Sequence, residues 1–170
     1  MIVFIMGLSC LVSIIVVFGI RMYIKKLFLP KLPDAIVSEV HSSIEQGVNR
    51  AWEGERAKHK LDMYAWIPAN DAVQDWCRTN ISPDLYWGVQ VIDANLPMHK
   101  DHGTEIKFNY IIDQGGSNPI TTYYDDNEVV IDSYTMELNS WYILNVAVNH
   151  GVTGIIPGER RISITSRIIP

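Results

Sequence analysis

Cysteine is scarce in this chain: Cys10 and Cys77 are the only two in 170 residues. Two cysteines cannot build a disulfide framework or a cysteine-based zinc site, and nothing about them argues for an oxidising compartment. Basic charge is short as well. Fourteen Lys and Arg against nineteen Asp and Glu leave a net charge of −5. No basic stripe and no Lys/Arg cluster interleaved with aromatics is present, which excludes a nucleic-acid footprint. There is no internal repeat and no low-complexity stretch. Charge is missing altogether from residues 1–20, MIVFIMGLSCLVSIIVVFGI.

That uncharged stretch is the first positive feature. Twenty apolar residues at about 1.5 Å rise span roughly 30 Å, the thickness of a bilayer's hydrocarbon core. A cleaved signal peptide would begin with a positive region and end at a small-residue cleavage site. Here Met1 runs straight into Ile2 and Val3, and no Ala-x-Ala follows. Residues 1–22 are therefore expected to form a single transmembrane signal-anchor helix, with the lipid bilayer as partner through residues 1–20. Arg21, Lys25, Lys26 and Lys31 follow the span directly. The positive-inside rule then puts the rest of the protein on the cytoplasmic side. Residues 23–33 read as a basic juxtamembrane linker, and 34–170 as one domain. Apolar residues make up 48% of the chain, enough for a real core.

Within that domain Pro30 and Pro33 precede Asp34, an expected N-cap. Ile36, Val40, Ile44, Val48, Ala51 and Trp52 recur at helical spacing, predicting one amphipathic helix from 34 to about 56. After it the period changes. LDMYAWI (61–67) reads as a strand and NDAVQDWC (70–77) as a short capped helix. YWGVQVID (86–93), EIKFNYII (105–112), ITTYY (120–124), EVVID (128–132), WYILNVAV (141–148) and RISITSRII (161–169) are short, rich in β-branched and aromatic residues, and separated by turn formers. About seven strands without interleaved helices predict a mainly β antiparallel sandwich or jelly-roll barrel with flanking helices.

Two segments carry chemistry. In the extended segment His99-Lys100-Asp101, positions i and i+2 share a side, so one imidazole and one carboxylate can reach the same ion. His150 lies 49 residues on, at the end of the apolar strand WYILNVAV. Two histidines and a carboxylate on one face of a metal suit Fe(II) and leave three positions open. His-x-Asp alone is a weak signal among five histidines, and His102 beside Asp101 is a rival ligand, although it turns to the other side. Eleven residues beyond His150, Arg161, Ser163 and Thr165 share one face of a strand, while Ile162 and Ile164 share the other. If the apolar face joins the core, the polar face lines a cavity. A guanidinium there demands an anion, and its fork fits a carboxylate. The alternative is a surface strand with solvated arginines.

Taken together, His-Lys-Asp, about fifty residues of strands, then Asn149-His150 and GERRISIT resemble the Fe(II)/2-oxoglutarate-dependent dioxygenases. That family's pattern is His-x-Asp…His with an Arg about ten residues after the last histidine, often within Arg-x-Ser. KFNYIIDQGGSNPITTYY is similar to the strand, Gly-Gly and Thr-containing strand of the prolyl 4-hydroxylase and aspartyl/asparaginyl hydroxylase branches. WYILNVAVNHGV is similar to the strand that delivers their second histidine. The likeness covers roughly residues 86–168.

The resemblance implies a double-stranded β-helix (jelly-roll) fold and iron held by His99, Asp101 and His150. It implies Arg161 on the far carboxylate of 2-oxoglutarate with Ser163 assisting, Arg160 being a rival one residue away. Asn109, Tyr110, Thr122 and Tyr124 sit on strands that can face the same pocket, and Asn145 is either near the site or an ordinary sheet residue. It further implies Fe(II), 2-oxoglutarate and O2, is compatible with ascorbate as auxiliary reductant, and leaves small molecules and protein side chains open as substrates. Two other readings remain: a cupin-type metal enzyme that makes no use of 2-oxoglutarate, and a membrane-anchored binding protein with a degenerate site.

Overall fold

The computed structural model of the chain describes residues 23–51, 64–101 and 103–168. The expected anchor helix 1–22 and the rival ligand His102 lie outside these residues. Among the described residues, no helix is long and apolar enough to cross a membrane.

Ten strands and two helices are present among the described residues. They are β1 (Ile24–Leu27), α1 (Asp34–Ala51), β2 (Tyr64–Pro68), α2 (Asp71–Asn80), β3 (Leu85–Ile92), β4 (Leu96–His99), β5 (Ile106–Gln114), β6 (Ile120–Tyr124), β7 (Val130–Tyr134), β8 (Trp141–Asn145), β9 (His150–Thr153) and β10 (Arg161–Ile168). They form a six-stranded sheet, β1-β8-β5-β10-β3-β2, and a four-stranded sheet, β4-β9-β6-β7.

The order follows from one long hairpin. β6 pairs with β7, β5 with β8, β4 with β9 and β3 with β10, all antiparallel and all centred between about residues 124 and 128. At that centre the Asp125 carboxylate accepts the backbone N–H groups of Asn127 and Val129, each at 2.9 Å, and Glu128 takes a left-handed φ of 65°. Rolled up, the hairpin places alternate strand pairs in opposite sheets, and the contacts β5·β10 and β6·β9 join them side by side. This is a jelly roll.

The strand expectations hold to within a few residues, with three additions, one of them β9, which begins at His150 beyond the expected strand 141–148. Residues 24–27, read from sequence as linker, form edge strand β1 on β8. Residues 96–99, read as a Pro-containing link, form β4, where Pro97 is tolerated because β4 is the edge of the small sheet. Asp34 opens the first turn of α1, where its charge complements the helix dipole.

The main core lies on the outer face of the large sheet. There Val40 and Ile44 of α1 and Val73 and Cys77 of α2 pack on Trp87, Val89, Tyr110, Trp141, Ile162 and Ile164. Asn70 caps α2 by accepting Val73 N–H at 3.1 Å. Gln74 ties α2 to the sheet, donating to Trp87 O at 2.5 Å and accepting Trp87 N–H at 3.1 Å. With one face of every strand spoken for, period 2 turns the alternate residues toward the small sheet.

Candidate metal centre

His99 ends β4 and His150 opens β9, directly opposite each other in the antiparallel register. Opposed residues in such a pair stand close enough for their side chains to meet, and the two imidazole rings lie with centroids 4.4 Å apart. Gly151 makes this approach feasible, since a Cβ there would sit 2.9 Å from Leu96 O on β4. Asp101, two residues past His99, is fixed by its N–H donating to Val146 O at 3.0 Å. One ligand atom from each of His99, Asp101 and His150 falls within 4.8 Å of the others.

The donor chemistry fits a divalent metal. Each histidine places Nδ1 on a backbone carbonyl: His99 on Pro97 O at 2.8 Å, His150 on Val148 O at 2.9 Å. A carbonyl only accepts, so both Nδ1 atoms carry hydrogen, and each ring in its neutral form presents the Nε2 lone pair. That outer hydrogen bond is the usual partner of a metal-bound histidine. Burial pushes the His150 pKa down, against the smaller opposing effect of the Val148 carbonyl, and so favours the neutral ring a ligand must be. His99 Nε2 stands 3.8 Å from Asp101 Oδ1. Ligands bound at about 2.1 Å and at right angles are roughly 3 Å apart, so a small rotation of the half-exposed His99 ring closes the set.

A cavity between the sheets opens from these residues. It holds about 470 Å³ counted out through its open mouth, of which about 40 Å³ can take the centre of a water molecule. Arg161, first residue of β10, lines it at 4% exposure, with no ion-pair partner among the described residues. Its guanidinium Nη2 lies 3.5 Å from Met136 Sδ, a weak acceptor. Desolvation lowers its pKa to about 10. Gly115, at φ 69°, allows the chain to pass here, since a Cβ would lie 2.4 Å from Arg161 N. Arg160 points elsewhere and pairs with Asp93 at 2.9 Å.

The remaining sequence candidates separate by strand face. Asn109 lines the cavity, and its buried Oδ1 has no hydrogen-bond partner. Tyr110 is a correction: one residue on, it faces the helix-covered core, stacks on Trp141 at 4.9 Å and accepts Leu32 N–H. Thr122 is corrected in the same way. Its hydroxyl accepts from Ser133, whereas Thr121 lines the cavity with an unpaired buried hydroxyl. Tyr124 likewise gives way to Tyr123, fully buried with its ring 5.9 Å from His150. ITTYY has no polar alternation to fix its register, and a slip of one reverses every side chain. Ser163 does not itself line the cavity but donates to Gln90, which does, at 3.2 Å. Asn145 accepts Ala147 N–H in the turn after β8.

Lys107 was not anticipated. It lines the cavity at 7% exposure, and its ammonium contacts Asp101 Oδ2 directly. The signal was available: Lys107 is two residues before Asn109, hence on the same strand face.

The sequence matches no family model and no curated protein. Solved structures similar to the chain include a hydroxypropylphosphonic acid epoxidase from S. wedmorenis, 12% identical over 63% of this chain and 51% of that one, TM-score 0.43. The chain thus spans about half the length of the epoxidase. A non-heme monooxygenase, ThoJ, in a nickel complex is 14% identical over 83% of this chain and 71% of that one, TM-score 0.45. A mutant of Bacillus subtilis oxalate decarboxylase OxdC is 12% identical over 64% of this chain and 26% of that one, TM-score 0.42. The jelly-roll assignment rests on the chain's own strand order, and the metal centre on its own donor set.

Proposed function

We propose that this protein is a membrane-anchored Fe(II)/2-oxoglutarate-dependent oxygenase that hydroxylates a C–H bond of a small molecule or protein side chain. The observation that carries the reading is Arg161: a guanidinium at 4% exposure with no anionic partner among the described residues, in the same cavity as His99, Asp101 and His150. A buried unpaired cation is costly, so the cavity is built to receive an anion that does not belong to the protein.

In this reading His99 Nε2, one Asp101 oxygen and His150 Nε2 hold Fe(II), with the backbone carbonyls of Pro97 and Val148 fixing the ring orientations. Arg161 grips the far carboxylate of 2-oxoglutarate, with the unpaired Thr121 hydroxyl available to the same group. Ser163 acts through Gln90 by holding its side-chain amide. Asn109 offers its free carbonyl to a donor on ligand or bound water. Apolar Ile92, Leu96, Leu144 and Val152 restrict water around the site. When bound, iron with 2-oxoglutarate and O2 supplies the oxidising chemistry, releasing succinate and CO2. Residues 1–20 tether the domain to a bilayer on its cytoplasmic face, an arrangement tested by alkaline extraction and protease protection of membranes carrying the full chain.

Anaerobic addition of Fe(II) and 2-oxoglutarate to the full chain is expected to give the weak visible charge-transfer band of the chelate. Arg161→Ala should weaken 2-oxoglutarate binding at least about 30-fold, the equivalent of roughly 2 kcal/mol for truncating one side of a buried charge pair. Metal binding without any response to 2-oxoglutarate, unchanged in Arg161→Ala, would favour a metal enzyme of another kind on this fold.

A further inference from the structure

The reading above leaves one charged group of the cavity without a task. Lys107 projects from β5, opposite Leu144 of β8, and is 7% exposed. An ammonium so placed needs an anion. Asp101 is the one carboxylate among the residues lining the cavity, and the ammonium rests on its Oδ2. The other oxygen, Oδ1, is the one facing His99 Nε2. The two oxygens are thereby assigned different partners: one the protein's own cation, the other the position where the histidines converge.

Resting on the assignment of His99, Asp101 and His150 as metal ligands, we propose that Lys107 is a positioning residue that restrains this centre. It confines Asp101 to ligation through a single oxygen and holds affinity for divalent metal below what the three ligands alone would give. The first effect is geometric. With Oδ2 occupied by the ammonium, the carboxylate cannot swing to chelate with both oxygens, and a coordination position is kept for a ligand from outside. The second is electrostatic. The ammonium repels a divalent ion and competes with it for the same carboxylate charge, and low exposure leaves little water to screen them. An outer partner that only orients a ligand behaves in the opposite way, since its loss weakens metal binding.

The test uses Co(II) as probe, added anaerobically to the metal-free full chain in mild detergent and followed by its visible d–d bands. Lys107→Met should bind Co(II) about tenfold more tightly than wild type, with bands altered in position and intensity as Asp101 becomes free to use both oxygens. Lys107→Arg, which keeps the charge, should retain wild-type affinity and spectrum. Thermal unfolding checks that each variant is folded, and Lys107→Gln carries the same expectation as Met should that variant not fold. Binding by the neutral variant that equals or falls below wild type, or a spectrum indistinguishable from wild type, overturns the proposal. Failure of the wild type itself to bind Co(II) in a manner lost with His150→Ala overturns instead the ligand assignment beneath it.

Discussion

On β10, Ile162 and Ile164 turn outward beneath the helices at 7% and 0% exposure, while Arg161, Ser163 and Thr165 turn inward at 4%, 1% and 1%. The two faces of one strand are equally buried and chemically opposite. β5 repeats the division, with Phe108 and Tyr110 outward, Lys107 and Asn109 inward. Outside, the backbone and amide groups are matched: Gln74 answers both backbone groups of Trp87 and Asn70 caps α2, while the Trp87 indole N–H has no hydrogen-bond partner among the described residues. Inside, among the described residues, Asn109 Oδ1 and the Thr121 hydroxyl lack partners and Arg161 lacks an anion. Burial alone therefore does not distinguish core from site in this protein; the gathering of charged and unpaired polar side chains around one cavity does. The outer face supplies stability, and the inner face spends some of it on groups that await a ligand.

The comparison can be broken most sharply from the outside. Trp87 is fully buried and meets Trp141 edge-on at 5.7 Å. Trp87→Ala should cost about 3–5 kcal/mol in urea unfolding, while whatever protein remains folded binds Co(II) with wild-type affinity. Loss of metal affinity in parallel with stability would show that the two faces are not separable.

From the inside, His150→Ala should lower Co(II) affinity by at least about 100-fold, beyond what loss of an outer hydrogen-bond partner costs. Because His150 lines the cavity and lies outside the helix-covered core, its removal should move the unfolding midpoint far less than Trp87→Ala does. A collapse of the fold would make His150 structural.

The smallest effect depends on pH. Burial beneath the helices raises the Cys77 thiol from 9.0 to about 12. The folded protein then holds this proton more tightly than the unfolded chain does. The stability Cys77 contributes is complete below pH 9 and is lost as pH rises toward 12, by about 1.4 kcal/mol per unit. Unfolding free energies of wild type and Cys77→Ala compared at pH 8, 9 and 10 should show a gap that narrows above pH 9. A constant gap would mean the thiol ionises in place.

Much of this was legible beforehand. The spacing of His99, Asp101 and His150 and the alternation in RISITS are local patterns, and strand period 2 converts them directly into shared faces. Where a segment lacked alternation the reading slipped by one residue, as in ITTYY, where Thr121 and Tyr123 face inward in place of Thr122 and Tyr124. Tyr110 failed for a related reason: its face was fixed by Trp141 and the helices packing on it, and neither is visible from its neighbours in sequence. β4 was hidden because a proline in a four-residue segment reads as a break unless that segment is known to lie at a sheet edge.

By itself the sequence determined that this is a chain of short strands able to bury one face, with two histidines and a carboxylate spaced to meet and an arginine one strand later. Those are consequences of side-chain period and residue type, which act over a few positions. Tertiary structure alone decided that Arg160 pairs with Asp93 and that Lys107 closes on Asp101. Both outcomes depend on which strands the rolled hairpin brings side by side. Charge pairing across strands acts over a few ångströms of space, between residues whose separation along the chain carries no trace of it.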